Sequence, residues 1–174
     1  MSRPPAVAGT FYEADPRALE DQVRGFLKID DNVIEDPIGI ISPHAGYAFC
    51  GDVAGAVYGR VRVPNRVLIL GPNHTGLGLP ASLAGFDAFE TPLGEVAVEL
   101  ELAKAVEAAC EEVQRDDVAH GEEHAIEAQL PFLRVRNPDV RVAALCLRTM
   151  SYSMCTGIGE GIARAIQAIG EPIL

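Results

Sequence analysis

Short β-branched apolar runs alternate with stretches of helical periodicity, and this alternation constrains the fold more than any other feature of the chain. Residues 38–41 (Ile-Gly-Ile-Ile), 66–71 (Arg-Val-Leu-Ile-Leu-Gly), 81–84 and 140–147 are short and apolar, the pattern of strands buried on both faces. Between them, Leu19, Val23, Phe26 and Leu27 recur at helical spacing behind Asp15-Pro16, a capping residue followed by a proline that suits a first turn. Further helices are predicted over 51–58, 99–112, 122–132 (ending near Pro131) and 157–169, the last closed by Gly170. The Gly- and Pro-rich stretch 72–80 reads as a loop, and Thr91-Pro92-Leu93-Gly94 as a turn. Strands alternating with helices predict an α/β fold, a mostly parallel sheet flanked by helices, in a single domain over 1–174.

Composition narrows the functions open to such a fold. With 48% apolar and 22% charged residues the chain has the balance of an ordered globular protein. Fourteen Lys and Arg against 25 Asp and Glu leave a net charge of -11, which counts against nucleic acid and anionic membrane surfaces as partners. No apolar run is long enough to span a bilayer, and the N-terminus lacks a charged-then-apolar signal segment. Four cysteines (Cys50, Cys110, Cys146, Cys155) without a CxxC do not form a disulfide framework; free thiols in a cytoplasmic protein are expected. Glu171-Pro172-Ile173-Leu174 reads as the start of one more buried strand, inside which the sequence stops. The expectation is a fragment of a longer protein. Its open apolar surface and strand edge would favour association, a homo-oligomer included.

Chemistry is expected where loops leave the strands. His44, in Ser42-Pro43-His44-Ala45-Gly46-Tyr47, follows the first predicted strand, and His74, in Gly71-Pro72-Asn73-His74, follows the second. The carboxyl ends of strands in an open parallel sheet form the ligand crevice, so two such loops can converge on one point. Imidazole binds metals and works as acid or base near neutral pH. His124 and Glu127 lie three apart on a predicted helix and share a face, where they can bind metal or simply form a polar helix start. Glu127 is expected to fix the orientation of a histidine. His120 is expected in solvent. Tyr47 and Asn73 stand beside the two histidines and could hydrogen-bond a ligand. Cys50 could be a thiol nucleophile or soft ligand, though a small buried cysteine at a helix start is the commoner case. Gly46, Gly51 and Gly55 resemble a phosphate loop only loosely. Neither GxGxxG, GxxxxGK[ST] nor GxSxG occurs at a strand-to-helix turn.

Four motifs in one order carry a family resemblance. They are Ala8-Gly9-Thr10-Phe11-Tyr12; Ser42-Pro43-His44-Ala45-Gly46-Tyr47 followed by Cys50-Gly51; Leu70-Gly71-Pro72-Asn73-His74; and Glu123-His124-Ala125-Ile126-Glu127-Ala128-Gln129-Leu130-Pro131-Phe132. Together they resemble the Memo family, whose bacterial and archaeal members belong to the AmmeMemoRadiSam group. The family fold is similar to class III extradiol ring-cleavage dioxygenases, which use non-haem iron. The resemblance implies an α/β fold, incomplete here at its C-terminus, around one metal site. By position, His44 and His74 match metal-binding histidines, with iron or copper as the implied metal. His124 matches a polar active-site residue and is the implied catalytic group. The family's later cysteine ligand has no counterpart among these residues, which leaves the third ligand absent. Two function classes follow: a metal-dependent oxidoreductase, or a binding or adaptor protein that keeps the enzyme fold and takes a small molecule or peptide.

Overall fold

The computed structural model describes residues 1–29, 33–35 and 37–174. In chain order these form β1 (Ser2–Arg3), α1 (Pro16–Phe26), α2 (Tyr47–Gly59), β2 (Arg66–Pro72), β3 (Ala81–Leu83), β4 (Ala88–Phe89) and β5 (Val96–Ala97). Then come α3 (Leu100–Ala109), β6 (Gln114–Arg115), α4 (Leu130–Arg136), β7 (Arg141–Leu147) and α5 (Tyr152–Ile169). Two short 3₁₀ turns, Asp117–His120 and Glu127–Gln129, precede β7.

The longest pairing joins β2 and β7 in parallel, in register from Arg66 opposite Arg141 to Pro72 opposite Leu147. The other edge of β7 takes β3 antiparallel, and β6 adds to β3 in parallel. The direction of β3 follows from chain length. The loop between Pro72 and Ala81 is too short for the dozen or more residues a parallel crossover needs, so the chain returns antiparallel. A second sheet has the order β1-β4-β5, with β1 parallel and β5 antiparallel to β4. The architecture is thus α/β with three of five strand pairings parallel, as expected, but among the described residues the strands form two sheets rather than one.

β7 separates two cores. Its Val142, Ala144 and Cys146 join one apolar cluster, and its Ala143 and Leu145 join the other, the two-residue alternation of a strand buried on both faces. The first cluster is filled by α1, α2 and α4, with Tyr58 stacked on Phe132 at 5.4 Å. The second lies under α3 and α5, around Leu102, Val106 and Ile158. α1 forms as read from the sequence: Asp15 accepts the Ala18 amide at 2.9 Å, and Pro16 opens the first turn. Gly170 ends α5 at φ 68°.

Two segments depart from the reading. Residues 38–41, expected to be a buried strand, form none, and Ile38 and Ile41 are almost fully exposed. They run alongside β2 across an apolar cavity instead of pairing with it. Among the described residues the outer edge of β2 is occupied only at its start, where Leu174 accepts from the Leu68 amide and donates to the Arg66 carbonyl. Residues 122–132 do not form one helix. Pro131 lies in the first turn of α4 rather than at a helix end, as suits a residue that lacks an N–H.

Glu127 shows why the N-terminus is held. It is fully buried and pairs with Arg3. It also accepts the amides of Ala6 and Val7, at 2.8 and 3.0 Å, and the Tyr12 hydroxyl at 2.6 Å. Arg3 in turn donates to the carbonyls of His120 and Glu123. Removing the carboxylate leaves a buried guanidinium without its counter-charge. Glu127→Ala is expected to destabilise the protein by about 3–5 kcal/mol in chemical denaturation, whereas truncating the exposed Glu20 of the Arg24 pair should cost less than about 1 kcal/mol.

Candidate metal centre

The structure brings His44, His74 and His124 together. Their ring centroids lie 5.1 Å apart for His44 and His74, 4.4 Å for His74 and His124, and 6.1 Å for His44 and His124. Each arrives on a different element. His74 follows β2, whose end approaches the Ala125–Ile126 turn because Gly71 has no side chain; a Cβ there would stand 2.8 Å from Ile126. His44 precedes α2 on a loop held by Gln129, whose amide donates to the Pro43 carbonyl at 3.1 Å while accepting from the Tyr58 hydroxyl at 3.0 Å. The His124 ring packs against Phe11 at 4.8 Å, which gives the N-terminal Gly-Thr-Phe-Tyr motif a place beside the site.

The rings can be tested against a shared ion. With bonds of about 2 Å, ring centroids stand about 3 Å from the metal, so right-angle and tetrahedral pairs lie about 4.5 and 5 Å apart. The separations of His44 from His74 and of His74 from His124 fit these values. The 6.1 Å between His44 and His124 would need a far wider angle. His44 with His74, inclined by 50°, can therefore hold one ion between them, whereas the stacked His74 and His124 rings, inclined by only 17°, send their in-plane lone pairs along nearly parallel lines.

Glu123 is buried beneath the cluster. One of its carboxylate oxygens lies 2.8 Å from His74 Nδ1 and accepts the amides of His124 and Ala125, both at 2.9 Å. Its other oxygen accepts the His74 amide at 2.5 Å. Burial alone would raise this carboxyl, but the His74 and Ala125 hydrogen bonds outweigh it and hold the group below the usual carboxylate range. Burial lowers His124, against the opposing pull of Glu123, and the neighbouring His74 and His44 lower it further.

The remaining sequence-predicted residues take other places. Glu127 faces the N-terminal segment, so Glu123 and not Glu127 touches a histidine of the cluster. Tyr47 is a core residue whose hydroxyl donates to the Ala128 carbonyl at 2.8 Å; its position one residue inside α2 turns it away from the histidines. Asn73 shapes its own loop, accepting from Thr75 and Gly76 and donating to the Leu77 carbonyl. His120, expected in solvent, is buried, with Nε2 3.0 Å from the Ser82 carbonyl. Cys50 is half-buried and donates to the Ala45 carbonyl. Burial pushes the Cys146 thiol up to about 12, helped by Glu123 and Asp116, which leaves it inert. Gly55 lies inside α2, where a Cβ would collide with the Phe26 carbonyl, so helix packing explains it in place of a phosphate loop. Glu123 and Gln129 escaped the sequence reading. Both stand in the same motif as His124, but neither has a spacing that separates it from an ordinary helix-start acid or a helix polar residue.

An apolar cavity of about 420 Å³ borders the cluster. It runs from His44 and Ser42 along Leu68, Leu70 and Gly71 to Leu174. Among the described residues no helix is long and apolar enough to cross a membrane.

A family model described as "Memo-like protein" matches residues 3–174. A MEMO1 family protein of Caldivirga maquilingensis is 35% identical over 187 residues, covering 100% of this chain and 66% of the relative. One from Methanopyrus kandleri is 38% identical over 176 residues, covering 93% and 62%. One from Aquifex aeolicus is 36% identical over 166 residues, covering 95% and 62%. The chain spans less than two thirds of the length of these curated relatives.

His120 makes stability depend on pH. Burial disfavours its imidazolium and lowers it below the ordinary histidine range, although the Ser82 carbonyl opposes this. The unfolded chain takes up the proton near pH 6.5 and the folded chain only at lower pH, so within that window the unfolded state binds more protons. Stability is expected to decline below about pH 6.5, with His124 acting in the same direction. In urea midpoints measured across this range, His120→Gln should flatten the decline without abolishing it.

Proposed function

Because the chain belongs to the Memo family, we propose that it is a metal-dependent oxidoreductase of the dioxygenase-like type, acting on a small molecule in the cytoplasm. The observation that supports this reading best is the meeting of three histidines from three separate elements above one buried carboxylate. The similarity of the family fold to class III extradiol dioxygenases favours iron, and imidazole ligands suit copper as well. In this reading His44 and His74 hold the metal through ring nitrogens, and further ligands come from outside the described residues or from solvent. A bound iron or copper supplies Lewis-acid and redox chemistry. His124 is the residue that touches substrate. Burial favours its neutral form, so it can take a proton at a ring nitrogen and return it later. Phe11, against its ring, helps to keep water from that face.

A second reading is favoured by the apolar cavity. Its volume lies in the range of small-molecule sites. Its floor is the outer edge of β2, where an extended peptide could add as a strand. A protein using only this feature would bind without catalysing.

Metal retention and oxygen uptake separate the two. The protein dialysed against iron(II) or copper is expected to bind one equivalent of metal, weakly, because His44 and His74 leave the remaining coordination positions to solvent. His44→Ala and His74→Ala should each weaken retention by more than the ~10–100-fold typical of residues around a metal shell, and His124→Ala by no more than that range. Oxygen consumption by the loaded protein, lost in His124→Ala with metal still bound, would support catalysis. Failure of the wild-type protein to retain either metal would overturn the oxidoreductase reading.

A further inference from the structure

We infer that Glu123 is a positioning residue: it fixes His74 as the Nδ1–H tautomer and aligns His124 beside it, so that both Nε2 atoms open onto the same space. The purpose of this arrangement rests on the metal-binding reading above; the arrangement itself does not.

An ionised carboxylate can only accept hydrogen bonds. At 2.8 Å from Glu123, His74 Nδ1 must therefore carry the proton, which leaves the lone pair on Nε2. His124 Nδ1 lies 3.5 Å from the same oxygen, too far for a hydrogen bond, while the His124 backbone amide donates to it at 2.9 Å and holds the residue in place. The His74 and His124 rings are inclined by only 17°. Two nearly parallel rings whose Nδ1 edges face one oxygen direct their Nε2 edges the same way, away from Glu123.

His74, Glu123 and His124 also lie close enough for their ligand atoms to be taken as a metal-binding trio, all within 4.8 Å of one another. The hydrogen bonds argue for a different division of labour. The Glu123 oxygen nearest His74 already accepts two backbone amides in addition to the imidazole, and the other oxygen accepts the His74 amide. Coordination would strip amides of their acceptor in a buried place. The carboxylate thus acts through the imidazoles, as acceptors behind metal-bound histidines do. It also ties the loop after β2 to the turn that carries His124, which fixes the two rings relative to each other.

The test is long-range proton–nitrogen correlation NMR on the metal-free protein, at a pH where the imidazoles are neutral. The expected wild-type result is a protonated Nδ1 and an unprotonated Nε2 on His74. Glu123→Gln keeps the size but brings an amide that can donate to Nδ1. It should shift His74 toward the Nε2–H tautomer and weaken iron(II) or copper retention ~10–100-fold, with the circular dichroism spectrum unchanged. A wild-type His74 found as the Nε2–H tautomer overturns the inference without any variant, so it is decided even if Glu123→Gln misfolds. A folded Glu123→Gln protein with an unchanged tautomer overturns it too. An Nδ1–H tautomer lost in Glu123→Gln, in a wild-type protein that retains no metal, supports the positioning role and overturns the metal reading instead.

Discussion

The parallel pairing of β2 with β7 is the constraint on which the rest of the molecule depends. Seven residues of each strand run in register, and β7 gives alternate side chains to two separate apolar cores. Continuous apolar sequence is the cost-free solution for a strand covered on both sides, since every side chain leaves water. The pairing also fixes where the chemistry can stand. Both strands end at one level, and the amide after Pro72 continues the ladder by donating to the Leu147 carbonyl at 2.8 Å. His74 is therefore held one residue beyond a rigid edge. The bare Gly71 lets the Ala125–Ile126 turn come down onto that edge with His124.

Two buried carboxylates decide the local structure between β6 and α4. Glu123 and Glu127 are four residues apart, and in an α-helix they would share a face. They do not. Glu123 collects the amides of His124 and Ala125 and the side chain of His74, while Glu127 collects Arg3, two N-terminal amides and Tyr12. A side chain that captures the amides of the next two residues offers the backbone an alternative to the helix. The segment consequently passes through a 3₁₀ turn and becomes helical only at Leu130. The two acids work in opposite directions: one closes the fold around its N-terminus and the other organises imidazoles.

What was legible in the sequence divides along the same line. β2, β7, α1 and the end of α5 could be read because each depends on local pattern: a continuous apolar run, a capped periodic stretch, a glycine stop. The nearness of His44 and His74 was expected from two strand-end loops, but only His74 leaves a strand, and His44 reaches the cluster from the turn before α2. What was missed depends on pairing across the chain. Residues 38–41 have the composition of a buried strand, but the apolar cavity between them and β2 keeps them from pairing with that edge, which among the described residues bonds only Leu174. The antiparallel return of β3 is set by loop length, not by its apolar residues. Glu127 was expected beside the histidines and His120 in solvent; only their partners, Arg3 and the Ser82 carbonyl, 124 and 38 positions away in sequence, account for where they are buried.

His44 gives the site its asymmetry. Its ring joins the cluster, and its loop also forms one end of the apolar cavity along β2. Gln129 holds that loop through the Pro43 carbonyl, so the cavity wall and the cluster share one support at the start of α4. Anything bound in the cavity therefore lies next to His44, whether or not chemistry follows. Occupancy of the cavity is common to the enzymatic and the purely binding readings. What distinguishes them is whether His44 and His74 retain an ion, which depends on the orientation of the His74 ring and not on the apolar walls.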